Sequence, residues 1–301
     1  MALGRFFDSD IWYSFRTSPV AMAAAAVAMV CLFCATFAEF VAPHSPFDLA
    51  TLELADARLP PAWSPEGRAK YLLGTDDQGR DILSALMFGS RLSLFVGLAS
   101  VVLSMLAGVS LGLLSGFVGG RVDAFVMRLC DVMLSFPPIL VALLINGVGR
   151  AMFPQAHGAL AFAVLILAIS LTGWVQYART VRGSTLVERN KEYVQAARII
   201  GVSPWRIMRR HVLPNVMGPV LVLATIQIAS AIIIEATLSF LGVGVPPTSP
   251  SLGTLIRSGN DFLFSGEWWI TVFPGAMLVL IVLSVNLLGD WLRDALNPRL
   301  R

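Results

Sequence analysis

Few residues in this chain are equipped for chemistry, and most of them are badly placed for it. The 301 residues include 22 Lys and Arg, 19 Asp and Glu, three His and three Cys. His44, His157 and His211 are far apart and form no ligand cluster of the kind a bound metal needs. Cys31 and Cys34 make a C-x-x-C inside an apolar run, where redox or metal chemistry lacks water, so they read as small apolar filler. Cys130 has no evident partner, and no disulfide framework follows. Asp76, Asp77, Arg80 and Asp81 crowd around Gly79 without the ligand spacing of a calcium loop; they predict a capped turn opening an amphipathic helix at Arg80. There is no G-x-S-x-G elbow for a hydrolase and no Gly-x4-Gly-Lys-Ser/Thr phosphate loop. The only lysines, Lys70 and Lys191, do not follow glycine.

Two features remain. Glu235 follows the apolar run 231–234, and a carboxyl there either lines a translocation path or binds a cationic group, or it has a structural role, within about two turns of the outer end of its span and in reach of water or a partner's Arg. The second is "EYVQAARIIGVSPWRIMRRHVLPN", residues 192–215. Its first part suits a helix ending at Gly201 in a left-handed cap, and Ser203 and Pro204 suit the N-cap and first turn of a second helix. Ala196 and Ala197 thin one side of the first helix, while Arg198, Arg206, Arg209 and Arg210 keep the surroundings polar. Such a pair suits docking into a groove of another protein; the alternative is a basic helix lying on anionic lipid.

The elements that must position these residues are membrane helices. The chain is 56% hydrophobic and 14% charged, with mean hydropathy +0.74. A span needs about 20 apolar residues. Charge-free runs cover 17–38, 92–120, 132–149, 151–178, 211–234 and 268–289, predicting an all-α membrane protein of six transmembrane helices. The fifth continues through Glu235 to about residue 241, and the third is short and contains Pro137 and Pro138. An even number puts both termini on one side. With the termini in the cytoplasm, 15 of the 22 basic residues fall inside, as the positive-inside rule requires. The expected organisation is a cytoplasmic segment 1–16, a first span 17–42, an outer segment 43–91, a five-helix core 92–292 and a cytoplasmic tail 293–301. The core includes a cytoplasmic loop 179–215 and an outer loop 242–267. Prolines 246, 247 and 250 break that outer loop, which reads as a partly embedded gate. Trp12, Trp174, Trp268, Trp269 and Trp291 fall near predicted span ends. The basic balance is explained by topology, and no nucleic-acid partner is expected.

Within the second span Ser100, Ser104, Gly108, Gly112, Gly116 and Gly120 recur every four residues, a spacing that lets backbones approach closely. Four residues advance a helix by about 400°, so this stripe drifts, predicting a crossing helix or two successive partners. Asn146, Gln227 and Asn286 are expected to hydrogen-bond between helices.

The docking stretch resembles the cytoplasmic signature loop of ABC importer permeases, Glu-Ala-Ala, three residues, Gly, nine residues, Ile, any residue, Leu-Pro. Here it reads Gln195-Ala196-Ala197, Gly201, then His211-Val212-Leu213-Pro214, with Gln195 in place of Glu and His211 in place of Ile. "LGTDDQGRDILS" (73–84), "YARTVRG" (177–183), "RHVLPN" (210–215), "EATLSFLGVGVPPTSPSLG" (235–253) and "GDWLRDALNPRLR" (289–301) extend the similarity to the C-type membrane subunit of dipeptide, oligopeptide and nickel importers. The resemblance implies a type I permease fold in a bacterial inner membrane and a peptide substrate. It also implies three kinds of partner besides lipid: a B-type permease, two ATPase subunits or domains, and a periplasmic or lipid-anchored solute-binding protein. ATP and Mg would bind those ATPases, with no cofactor and no catalytic residue in this chain. ATPase coupling is then expected at Glu192, Gln195, Ala196, Ala197, Gly201, Val202, Ser203, Pro204, Trp205, Arg206 and Pro214. Helix packing is expected at Ser104, Gly108, Gly112 and Gly116, and Glu235 is a candidate for the translocation path. A stand-alone channel or secondary transporter, or a scaffold recruiting a cytoplasmic partner, are the competing classes.

Overall fold

The computed structural model of the protein describes residues 10–46, 52–152, 159–245 and 249–295. His157, Pro246, Pro247 and the ends of the expected cytoplasmic segment and tail lie outside the described residues. The helices, in chain order, are α1 (Asp10–Thr17), α2 (Pro19–Thr36), α3 (Ala38–Val41), α4 (Ile82–Val118), α5 (Gly120–Leu134), α6 (Pro138–Met152), α7 (Ala159–Glu188), α8 (Glu192–Ile199), α9 (Pro204–Ile207), α10 (Leu213–Phe240), α11 (Leu252–Asn260) and α12 (Trp269–Ala295). Among the described residues there is no strand, only an isolated antiparallel bridge between Thr75 and Asp81. Five helical stretches are long and apolar enough to cross a membrane: α2, α4, α7, the continuous run Pro204–Phe240, and α12.

The sixth crossing differs from the expected one. The run 132–149 is no single helix: α5 stops at Leu134, and α6 starts at Pro138 at 91° to it. Pro138 forces the residue before it out of helical backbone, and that residue is itself a proline, so the helix breaks and restarts with Pro138 in its first turn. A bent pair, α5 and α6, replaces the third span.

The second span is longer than expected. The amphipathic helix after Gly79 and the apolar run from residue 92 are one 37-residue helix, α4, about 55 Å long. It begins at Ile82 rather than Arg80, because Asp81 is its N-cap and accepts from Ser84 N–H at 2.9 Å. Asp76 organises the turn before it: its Oδ1 accepts from the Gln78 and Arg80 N–H groups at 2.9 Å, and its Oδ2 from Arg80 Nε at 2.6 Å, while Gly79 takes φ +77°. This turn belongs to a cap over one end of the bundle. Buried Asp56 accepts from the Tyr71 hydroxyl at 2.9 Å and pairs with Arg68 and Lys70, and Trp269 Nε1 donates to Thr75 O at 3.2 Å. We call this end the capped face and the opposite one the basic face.

The small-residue stripe packs α4 against α7, and its partner does not change between residues 104 and 116. Each contact lies 66 residues further along the chain: Ser104 with Ser170, Gly108 with Trp174, Gly112 with Ala178, Gly116 with Arg182. A constant offset means that the helices are parallel and that α7 winds with the stripe, so its drift costs no contact. A Cβ on Gly108 would stand 2.3 Å from Trp174 O, and one on Gly112 2.5 Å from Ala178 O. Closer to the capped face the partner becomes α10, with Gly97 against Ile232. Gly120 lies outside α4, at φ +57° with open space around it. Three other expectations also shift. Trp174 is buried midway along α7, because that helix runs ten residues past the last uncharged position of its apolar run. Asn146 is buried and its amide N–H2 has no partner, and Asn286 makes no side-chain hydrogen bond among the described residues. Gln227 does bridge helices, donating from α10 to Gly173 O on α7 at 3.5 Å.

Candidate functional site: an exposed elbow on the basic face

Between α7 and α10 the chain leaves the bundle and returns through an elbow. Helix α8 ends in a Schellman arrangement: Val202 N–H donates to Ala197 O and Gly201 N–H to Arg198 O, both at 3.0 Å, with Gly201 at φ +79°. Ser203 is the extended N-cap residue of the second arm, although its hydroxyl makes no capping bond, and Pro204 follows in the first turn. The second arm is not a separate short helix. It continues through a π-type turn, Met208–Val212, into α10, giving one helix from Pro204 to Phe240. The wide turn has a local cause: Pro214 lacks an N–H and its ring would strike the preceding turn of an α-helix, so the backbone opens until Leu213 N–H donates to Met208 O.

One side of the elbow is packed and the other is bare. Val194, Ala197, Ile207, Met208 and Val212 are buried together. Ile199, Ile200 and Trp205 are 85%, 78% and 64% exposed at the tip, and Arg198, Arg206, Arg209 and Arg210 on the same two arms are exposed as well. Ala196 and Ala197 do not make one thin face as expected: consecutive helical residues point about 100° apart, so Ala197 packs inward while Ala196 is exposed. Glu192, Gln195, Ser203 and Pro214 are exposed, and Val202 is half-buried.

The elbow is tied to the bundle by side-chain bonds that the motifs do not reveal. Tyr193 donates to Glu188 Oε1 at 2.6 Å and accepts from Asn215 Nδ2 at 3.0 Å, closing the base of the loop. Burial, and then its bond to Glu188, raise the Tyr193 phenol above its ordinary pKa, so it stays a neutral donor. Arg189 donates to Gly116 O at 2.8 Å, and the Arg198 guanidinium lies 5.3 Å from the Phe117 ring. Arg182 grips Asp123 with two bonds of 2.5 and 2.7 Å, and Ser115 donates to the same carboxylate. The last turn of α4 is thus held by α5, α7 and α8 together. The quoted blocks held some of these residues, Arg182 in "YARTVRG" and Asn215 in "RHVLPN", without showing what they bond.

The elbow thus presents an uncovered apolar tip beside exposed arginines, at the end of a helix continuous with a membrane span. Residues 108–301 match the model of the binding-protein-dependent transport system inner membrane component family. The chain belongs to that family. Residues 7–61 match the N-terminal transmembrane domain of oligopeptide transport permease C, which makes this a C-type member. The di/tripeptide transport system permease protein DppC of Pseudomonas aeruginosa (strain UCBPP-PA14) is 41% identical over 97% of this chain and 92% of its own length. The oligopeptide transport system permease protein OppC of Bacillus subtilis (strain 168) is 36% identical over 97% and 90%. The probable D,D-dipeptide transport system permease protein DdpC of Escherichia coli (strain K12) is 34% identical over 98% and 93%. In structure, a chain of the inward-facing MetNI methionine ABC transporter superposes with a TM-score of 0.57 at 20% identity, covering 72% of this chain and 98% of its own. This permease therefore has the ABC importer membrane-subunit fold and works as a transport component rather than as an enzyme.

Within this family fold the predicted residues divide between the two faces. The coupling candidates from Glu192 to Pro214 all lie at the elbow. Ser104, Gly108, Gly112 and Gly116 lie in the α4–α7 seam behind it. Glu235 is remote from both, at the capped end of α10 with no exposed surface in this chain.

Proposed function

We propose that this chain is the C-type half of an ATP-driven peptide importer in a bacterial inner membrane, paired with a B-type permease. One of two ATPase subunits docks on this elbow and the other on the B-type permease, and a solute-binding protein delivers peptide at the capped face. In this reading both termini and the elbow are cytoplasmic, and the segment 43–91 is external. The observation that carries it is the exposed Ile199, Ile200 and Trp205 tip on a strut continuous with a membrane span. A force applied at the tip reaches the span without an intervening loop. ATP supplies the shift by binding the closed ATPase dimer better than the open one, which carries the elbows together and rocks the spans between inward- and outward-open states. Peptide as the substrate class is supported by relatives of similar identity named for di- and tripeptides, oligopeptides and D,D-dipeptides. Their spread over peptide types supports placing the finer selection on the binding protein.

The test is to tag the chain in its host, extract it in mild detergent and identify what is retained by mass spectrometry. A second six-span permease and one or two Walker-type ATPases are expected. Recovery of the chain alone, repeated after cross-linking, would favour a stand-alone channel or secondary transporter.

A further inference from the structure

The carboxyl of Glu235 lies inside a membrane-spanning helix, fully buried, where each of its oxygens needs a donor. Each has one. Ser93 Oγ of α4 donates to Oε2 at 2.7 Å, and Ser239 Oγ, one turn further along α10, donates to Oε1 at 2.7 Å. Both hydroxyls also accept. Leu252 N–H, at the start of α11, donates to Ser93 Oγ at 3.3 Å, and Val245 N–H, just past the end of α10, donates to Ser239 Oγ at 3.3 Å. Two chains of hydrogen bonds therefore start at the two ends of one turn, Val245 and Leu252, and finish on the two oxygens of one carboxyl. Ser251, the fully buried N-cap of α11, accepts from Thr254 N–H and so fixes the first turn of the helix that Leu252 begins.

The glycines on either side of the turn are what let it come so close. A Cβ on Gly244 would lie 2.1 Å from Ser239 Oγ, and one on Gly253 2.2 Å from Ala236 O. The arrangement leaves Glu235 no open side toward a solute. Three polar side chains, Ser93, Glu235 and Ser239, are each at most 1% exposed and spend their bonding capacity on one another and on the Val245 and Leu252 N–H groups. We infer that Glu235 is a positioning residue, a clip that fixes the start of α11 to α4 and α10 so that the three move as one body on the capped face. Its role in transport rests on the function proposed above; the clip itself does not.

Hydrogen–deuterium exchange on the full chain in lipid nanodiscs, with whatever partners co-purify, reads the clip directly. In Glu235→Ala the Val245 and Leu252 amides are both expected to exchange at least tenfold faster, with the elbow 192–212 unchanged. Ser93→Ala should release Leu252 only and Ser239→Ala Val245 only. Glu235→Gln, which keeps one acceptor oxygen, should fall between wild type and Glu235→Ala. Faster exchange throughout the chain, or at one end only in Glu235→Ala, overturns the clip. Peptide uptake by cells carrying the same variants should fall about tenfold in Glu235→Ala and recover in part in Glu235→Gln. Released amides with normal uptake overturn the positioning role while leaving the clip standing.

Discussion

The elbow on the basic face and the turn on the capped face both follow a helix that ends in a Schellman motif with a left-handed glycine, Gly201 in one and Gly242 in the other. From that shared start they diverge. Nothing lies within 4 Å of where a Cβ on Gly201 would stand, and the neighbouring Ile199, Ile200 and Trp205 point into open space. Beside Gly242, residues Gly244 and Gly253 lie against the backbone and side chains of α10, and the hydroxyls of Ser93, Ser239 and Ser251 are all occupied. One end of the molecule leaves its apolar side chains uncovered, where the proposed function places an ATPase. The other holds itself, through a carboxyl that takes the place a partner would fill. Substitutions at the two ends should therefore fail in different ways.

The largest expected effect is on folding at the capped face. Gly253→Ala puts a methyl group against Ala236 O at a distance no relaxed structure tolerates, so α11 must lift off α10; overpacking of this kind costs about 1–3 kcal/mol and occasionally more. A clear loss of thermal stability of the purified chain is expected, and wild-type melting would show that the turn is looser than its spacing implies. Gly201→Asp should give the opposite pattern. The left-handed conformation costs a non-glycine residue about 1–2 kcal/mol, while the open surroundings add no clash. Membrane insertion should persist while uptake is lost, because the tip is re-aimed and carries a new negative charge; normal uptake would sink the elbow reading.

Trp205→Ala sharpens the contrast further, since it removes a tip side chain without touching the fold. Aromatic anchors at interface centres contribute about 2 kcal/mol or more, so ATPase association should weaken about 30-fold with unchanged melting of the chain. Equal affinity in a binding titration would move the contact elsewhere on the elbow. The smallest effect is expected in the cap. Burial, and then repulsion from Asp76, hold the Asp77 carboxyl above its ordinary pKa. The folded chain therefore binds that proton more tightly than the unfolded one, and stability falls as pH rises through the folded value. Asp77→Asn should remove that fall, changing stability by less than about 1 kcal/mol above the ordinary carboxyl range near pH 4. A pH series of melting curves that stays parallel to wild type would contradict it.

The sequence was most readable where one local rule acted alone. Gly201 and Pro204 punctuate the elbow through backbone geometry, and the four-residue spacing of Gly108, Gly112 and Gly116 announced close helix contact before any partner was known. It was least readable where two rules met. The double proline at 137–138 was visible, but a charge-free window averages over it and returns a span where the chain turns by 91°. The π-type turn before Pro214 and the continuity of Pro204–Phe240 were hidden for the same reason, since Arg209 and Arg210 make the run look interrupted while the backbone carries on. Glu235 was conspicuous as a charge among apolar neighbours, and Ser239 stood within helical reach four residues on, but its other donor, Ser93, lies 142 residues away, a distance over which no periodicity speaks.

That continuous helix has a mechanical meaning, because the exposed tip and the buried carboxyl stand near its two ends. Trp205 and Glu235 are separated by 30 residues of one rod, about 45 Å of axial rise. A tilt of only about 5° at one end displaces the other by about 4 Å, the scale of a helical turn. A hinge loop would dissipate such a tilt, whereas a continuous helix passes on what its prolines do not absorb. On the function proposed above, the helix is a lever held at its uncovered tip and at its buried carboxyl, and Pro214 and Pro219 are the points along it where bending would be taken up.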